Sequence, residues 1–248
     1  MFSLVRPVRL GGPNIRFQCP RTEEGCTECR SIPVAGSQPS TYIRPVSASL
    51  PFIPPCRPRP VRLPPKGEAW LHEPKLDGWR MQAVKRGSDV ALYSRQGREL
   101  SERFASIAEA VRKLTCRSCT LDGEVVRADS AGGVDFYGLT GKRDGVSFWA
   151  FDLLERDGKD LKPLPLAQRK AQLAKVMARI DSQVLGLVPS FDDGEALLIA
   201  CMDKGVEGIV SKRRDQPYRS GSRPEWVKVK CPGWTAANRE RWRRFERA

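Results

Sequence analysis

The sequence predicts an α+β fold, with mainly antiparallel sheets and flanking helices. Three observations carry this. Short segments rich in β-branched and aromatic residues alternate with period two, as in Met81–Ala83 and Val90–Leu92–Ser94. Other segments place apolar residues at helical spacing, first Phe104, Ile107, Ala108 and Val111. The two kinds follow one another without regular βαβ alternation, which argues against a doubly wound parallel sheet.

Along the chain, thirteen of the twenty prolines fall within the first 65 residues, beside nine arginines and three acids. That stretch holds no sustained period, so residues 1–62 are expected to form a disordered or loosely attached basic leader. The texture changes near residue 66. "AWLHEPKLDGWRMQAVKRGSDVALYSRQGREL" reads as strand, turn, strand, Gly-Ser turn, strand. A helix follows, with Ser101 as its expected N-cap and its end near Leu114. "CTLDGEVVRAD" and "VSFWAFDLLERDG" read as strands, each closed by turn residues. A second helix is expected from Leu166 to about Ile180, and a third from Gly194 to Lys204 with Gly205 as its C′ glycine. "VEGIVSKRR" and "PEWVKVK" are the last strands, and residues 233–248 form a basic helix carrying Trp242 and Phe245.

Charge narrows the partner class. The 248 residues carry a formal charge of +14 and a pI near 9.7, which suits a polyanion such as nucleic acid, nucleotides or anionic lipid. No apolar run reaches the roughly 18 residues of a membrane span, and the first ten residues are too short and proline-broken for a secretory signal. A soluble, cytoplasmic protein is expected. Eight cysteines include two CxxC pairs, Cys26/Cys29 and Cys116/Cys119. With 86 residues between the pairs and no histidine near either, chance pairs are the expected reading; Cys19 leaves a small N-terminal knuckle open. His72 is the sole histidine and no GxSxG elbow accompanies it, so Ser-His hydrolase chemistry is not expected.

Taken alone, KLDGWR (residues 75–80) reads as a surface lysine beside an Asp-Gly turn. Its company changes that reading. KLDGWR, SRQG (94–97), LDGEVV (121–126), FDLL (151–154), EGIVSK (207–212) and WVKVK (226–230) follow in that order. The series resembles the ATP-dependent DNA ligases, a branch of the covalent nucleotidyltransferases that also include mRNA capping enzymes and RNA ligases. The resemblance spans residues 63 to 232 and is nearest to bacterial ligases associated with end joining.

The resemblance implies an ATP-grasp-like nucleotidyltransferase domain, with ATP and Mg2+ and with nicked or broken duplex DNA as partner. It implies Lys75 as the nucleophile that attacks an α-phosphate. A free lysine has a pKa near 10.4, so nearby cations and partial desolvation are needed to expose its lone pair. Arg80, Lys228 and Lys230 are implied as that cationic field. On a strand, Lys228 and Lys230 stand at i and i+2 and share one face, as two phosphate clamps require. Glu207 and Glu124 are implied as metal ligands, Glu124 also as a ribose contact. Phe151 is implied to pack on the nucleoside, with Val210 on the opposite face of the base. Glu73 is implied to accept from the adenine amino group, which favours ATP over GTP. Arg95 is implied to engage the nicked strand, and Lys212 nucleotide or nucleic-acid phosphates.

The series then departs from the family. Eighteen residues follow Lys230, too few for the five strands of an OB-fold. The lid over the lysine is therefore expected from a separate OB-fold or end-joining polypeptide, and the chain is read as a monomer near the bacterial nucleoid. Two alternatives stay open: an RNA ligase or guanylyltransferase, and a catalytically weak DNA-binding accessory that needs a partner OB domain.

Overall fold

The computed structural model describes residues 50–127, 145–178 and 183–238, all within one compact unit of the chain. Cys19, Cys26, Cys29, Trp242 and Phe245 lie outside these residues.

Two sheets organise the described residues. A four-stranded sheet runs in the order β1 (Cys56–Pro60), β10 (Gly221–Lys230), β9 (Gly208–Arg213), β2 (Trp70–Pro74). Only the β1–β10 pair is parallel. The larger sheet runs β4 (Asp89–Ser94), β3 (Trp79–Arg86), β5 (Ser118–Arg127), β6 (Val146–Arg156), β7 (Lys159–Asp160), with β8 (Leu185–Leu187) parallel to part of β6. Helices α1 (Ala105–Arg112) and α2 (Leu166–Met177) pack on this sheet. Ile107, Val111, Leu173 and Val176 meet Leu121, Val125, Phe148 and Ala150 there in the main core. Helix α3 (Gly194–Asp203) covers the smaller sheet, burying Leu197 and Cys201 against Ile209 and Val229, and the short α4 (Trp234–Ala237) adds Trp234. The predicted α+β class with mostly antiparallel pairing is what the chain adopts. Among the described residues, no helix is long and apolar enough to cross a membrane.

Several local expectations are corrected. Lys75-Leu76-Asp77-Gly78 is not a hairpin turn: β2 and β3 belong to different sheets, and the four residues cross between them. Gly78 is required there by close approach, because a Cβ would lie 2.2 Å from the Val125 carbonyl oxygen. Ser101 does not cap α1. Its Oγ accepts from the Leu92 N–H at 3.0 Å and donates to Glu99 at 2.9 Å, while buried Phe104 precedes the first helical residue. Order also begins before residue 63, since Cys56–Pro60 pair with β10 as a sheet strand. Helix α2 is described only to Met177, short of the expected Ile180, which lies outside the described residues.

Helix α3 is capped at both ends, with Gly205 closing it as expected. Asp193 accepts from the N–H groups of Glu195 and Ala196, each at 3.0 Å. Beyond it, Gly205 at φ 67° and Val206 donate back to Met202 and Cys201, the paired bonds of a Schellman closure.

Candidate active site

The crossover at residue 75 puts one lysine between the two sheets. The Lys75 N–H donates to Gly208 O at 2.8 Å, which fixes the backbone against the start of β9. Its Nζ pairs with Glu207 Oε2, and Glu207 Oε1 lies 3.2 Å from Lys230 Nζ. Glu207 is buried, and its own carbonyl accepts from Cys231 N–H at 2.9 Å. A carboxylate therefore faces Lys75 directly, where the sequence led us to expect cations around it. Lys228 is a cation that lines the same cavities as Lys75. Burial, then repulsion from Lys75, holds its pKa below the ordinary lysine value.

Cross-strand register explains which side chains converge. Glu73 of β2 sits opposite Val210 of β9, and Val210 sits opposite Lys228 of β10. Directly opposed residues share a face, and so do residues two apart. Glu73, Val210, Lys228, Lys212, Trp226 and Lys230 thus belong to one face of the smaller sheet. In the larger sheet Arg80 sits opposite Glu124, and both face inward near Lys75.

Two cavities meet at Lys75. One, of about 440 Å³, is lined by Glu73, Phe151, Val188, Val210, Lys212 and Trp226, within the size range of small-molecule sites. The other, of about 1100 Å³, opens past Glu124, Glu207, Lys230, Arg95, Arg98 and Arg103. Lys75, Arg80, Arg95, Glu124 and Lys228 line both. A ligand with an apolar planar end and an anionic end fits this division, with its charged group at the lysine.

Arg80 is not free to act as a loose phosphate anchor. Its guanidinium makes a two-pronged pair with Asp122, at 3.0 and 2.7 Å, and donates to Cys56 O at 2.6 Å. It also lies 5.1 Å from the Phe151 ring and 5.7 Å from that of Trp226. Burial penalises the cation, but Asp122 outweighs that penalty and raises the pKa further above its usual value. Tyr218 completes the group, donating to Asp122 at 2.7 Å and accepting from the Cys56 N–H at 2.9 Å.

Lys212 is also repositioned by the structure. It is 1% exposed, pairs with Glu73, and sits 4.2 and 4.1 Å from the rings of Phe151 and Trp226. A side chain so enclosed cannot reach duplex phosphates, so its place is inside the smaller cavity. Burial lowers its pKa, and Glu73 opposes that shift. Arg95 is exposed and lines both cavities.

The donor set is compatible with a magnesium ion. Glu124 and Glu207 face the same cavity, and burial pushes Glu124 from the usual 4.5 up to about 7, partly offset by Lys75 and Arg80. A half-buried carboxylate so raised gains from a cation beside it. Mg2+ commonly takes one or two carboxylates, with phosphates and waters filling the other positions. No group of three or more His, Cys, Asp or Glu arranged for a metal occurs among the described residues. Cys116 and Cys119 are buried free thiols, and the other CxxC pair lies outside those residues. His72 is buried with Nδ1 2.7 Å from Ser211 Oγ.

Asp122, Trp226, Tyr218 and Lys170 escaped the sequence reading. Asp122 and Trp226 stand inside LDGEVV and WVKVK and could have been found there. Lys170, which pairs with Glu73 from α2, has no local signal.

Comparison with known proteins identifies the family. Residues 63–230 match the family model for the ATP dependent DNA ligase domain. The multifunctional non-homologous end joining protein LigD of Pseudomonas aeruginosa is 33% identical over 177 residues, 69% of this chain and 21% of that protein. The LigD protein of Mycobacterium tuberculosis is 36% identical over 169 residues, 66% of this chain and 22% of that protein. The chain thus spans about a fifth of the length of these relatives. The solved ligase domain of M. tuberculosis LigD superposes with a TM-score of 0.64 at 30% identity, covering 71% of this chain and 60% of that one. A mycobacterial DNA ligase D complexed with ATP and MES gives 0.63 at 30% identity, covering 71% and 59%.

Proposed function

We propose that this chain, which belongs to the ATP dependent DNA ligase domain family, forms a covalent lysyl-AMP at Lys75 and passes the AMP to a DNA 5′-phosphate. The observation that carries the reading is the position of Lys75 at the junction of the two cavities, with Glu207 on its amine.

In this reading the adenosine of ATP fills the smaller cavity, with Phe151 and Val210 against the base and Glu73 accepting from its amino group. The α-phosphate lies at Lys75, between Lys228 and Arg80. Lys75 must shed a proton before it attacks, and Glu207, already bonded to Nζ, is the group placed to take it. A P–N bond forms, the bond to pyrophosphate breaks, and Lys228 and Lys230 stabilise the charge that develops on the phosphate oxygens. A DNA 5′-phosphate oxygen then attacks the same phosphorus and Lys75 leaves with its proton restored. A neighbouring 3′-hydroxyl finally attacks the DNA 5′-phosphorus and expels AMP. Glu124 and Glu207 would hold Mg2+, which when bound screens the phosphate charge.

The larger cavity, with Arg95, Arg98 and Arg103 at its wall, is the proposed groove for nicked or broken duplex. An OB-fold or end-joining protein is the proposed element that closes over it. Residues 63–232 are the proposed adenylation domain. The site of action is proposed to be the bacterial cytoplasm, at the nucleoid.

The test is sealing of a nicked duplex with labelled ATP or GTP and magnesium. ATP-dependent sealing of DNA is expected, with affinity for the duplex falling steeply as salt rises. Covalent label from GTP alone would defeat the assignment. Duplex binding without label from either nucleotide would point instead to an accessory role.

A further inference from the structure

Glu73 is held from two sides. Lys212 of β9 meets its Oε2, and Lys170 of α2 meets its Oε1, from which Ser190 Oγ is 3.5 Å away. Lys170 also donates to Val188 O at 3.4 Å. No residue of α2 lines the smaller cavity, so Lys170 reaches Glu73 from behind.

We propose that Lys170 is a specificity-determining positioning residue: it pins the Glu73 carboxylate as an acceptor for the exocyclic amino group of adenine, against the carbonyl of guanine. The proposal rests on the reading of the smaller cavity as the nucleoside site. A carboxylate has about four lone-pair sites on two oxygens, and its terminal torsion is soft. Held at one oxygen only, Glu73 can swing toward Lys212. Held at both, its remaining lone pairs keep one direction. An acceptor fixed in advance loses little freedom when the adenine amino group arrives. The O6 of guanine meets the same oxygen acceptor to acceptor, and both stay unpaired. Lys212 alone cannot do this, because it holds the oxygen on the β9 side and is itself enclosed by Phe151 and Trp226.

The test uses the full chain and two readouts. Equilibrium dialysis without magnesium measures ATP and GTP binding with no turnover. Labelling with magnesium then gives KM and the maximal rate. Wild type is expected to prefer ATP. Lys170→Met is expected to weaken ATP about tenfold, the scale of one charge-assisted hydrogen bond. GTP binding should change less than about threefold, KM for ATP should rise in step, and the maximal rate should move less. Lys170→Arg should restore the preference, which a merely structural loss would not predict. If Lys170→Met does not fold, Lys170→Ala serves, since it also removes the donor to Glu73 Oε1 while leaving Lys212 in place and must also lose preference. An unchanged ATP to GTP ratio in either variant, or a wild-type chain without preference, would overturn the proposal. Preference for ATP with no covalent label would leave Lys170 its role and defeat the transferase reading.

Discussion

Glu207 closes on Lys75 with one carboxylate oxygen while the other lies 3.2 Å from Lys230. One buried acid thus joins the Lys75 amine to the last lysine of β10, which links the proposed nucleophile to the proposed phosphate clamps. Glu207→Gln keeps the shape but removes the charge and the proton acceptor. Lysyl-AMP formation should fall about 100-fold or more, the scale of a lost general base. Single-turnover labelling checks this, with dialysis against ATP separating binding from chemistry.

Glu124 sets a pH dependence whose sign can be worked out. Its folded pKa, about 7, lies above the ordinary 4.5. Below pH 4.5 the group is protonated in folded and unfolded chains alike. Between 4.5 and 7 the folded chain holds a proton that the unfolded chain has released, so the relative stability this group provides is lost as pH rises through 7. Melting temperature of the metal-free chain should decline across that window, and Glu124→Gln should flatten the decline. Labelling should run the other way, falling toward acid pH as the proton competes with Mg2+ for the carboxylate, and more steeply at low Mg2+.

Asp122 holds Arg80, and through Tyr218 it is linked to β1. Asp122→Asn leaves a buried guanidinium half-paired and should cost about 3 kcal/mol or more. Tyr218→Phe removes one neutral hydroxyl and should cost about 1 kcal/mol. Denaturant titration of both variants checks the order; equal losses would contradict the ion pair as the main tie.

Gly78→Ala should damage both stability and labelling. The added Cβ would meet the Val125 carbonyl oxygen at 2.2 Å, and a backbone atom cannot give way as a side chain can. A loss of about 1–3 kcal/mol is expected, with lower labelling even at temperatures where the variant is folded, because the crossover that carries Lys75 must move.

Much of this was legible in the sequence. Period-two and helical spacing located most strands and helices, and Gly205 marked the end of α3. The motif series contains Lys75, Glu124, Phe151, Glu207, Lys228 and Lys230, and the two sheets bring them to the adjoining cavities. Three things were not legible. A strand-turn-strand pattern at residues 70–86 looks the same whether it closes a hairpin or crosses between sheets, because pairing partners are set by distant residues. The β1 strand escaped because CRPRP has a leader's composition, and its pairing with β10 comes from 165 residues away. Lys170 carries no local signal, and Lys212 is implied to meet phosphates rather than Glu73, because Glu73 is remote in sequence and adjacent to both only in the fold.

Lys75 is the proposed carrier of the AMP. Incubation with labelled ATP and magnesium, followed by protease digestion and mapping of the labelled peptide, tests this most directly. The label should lie on Lys75, vanish in Lys75→Ala, and leave the protein when nicked duplex is added. Label on another residue, or label that survives Lys75→Ala, would contradict the account.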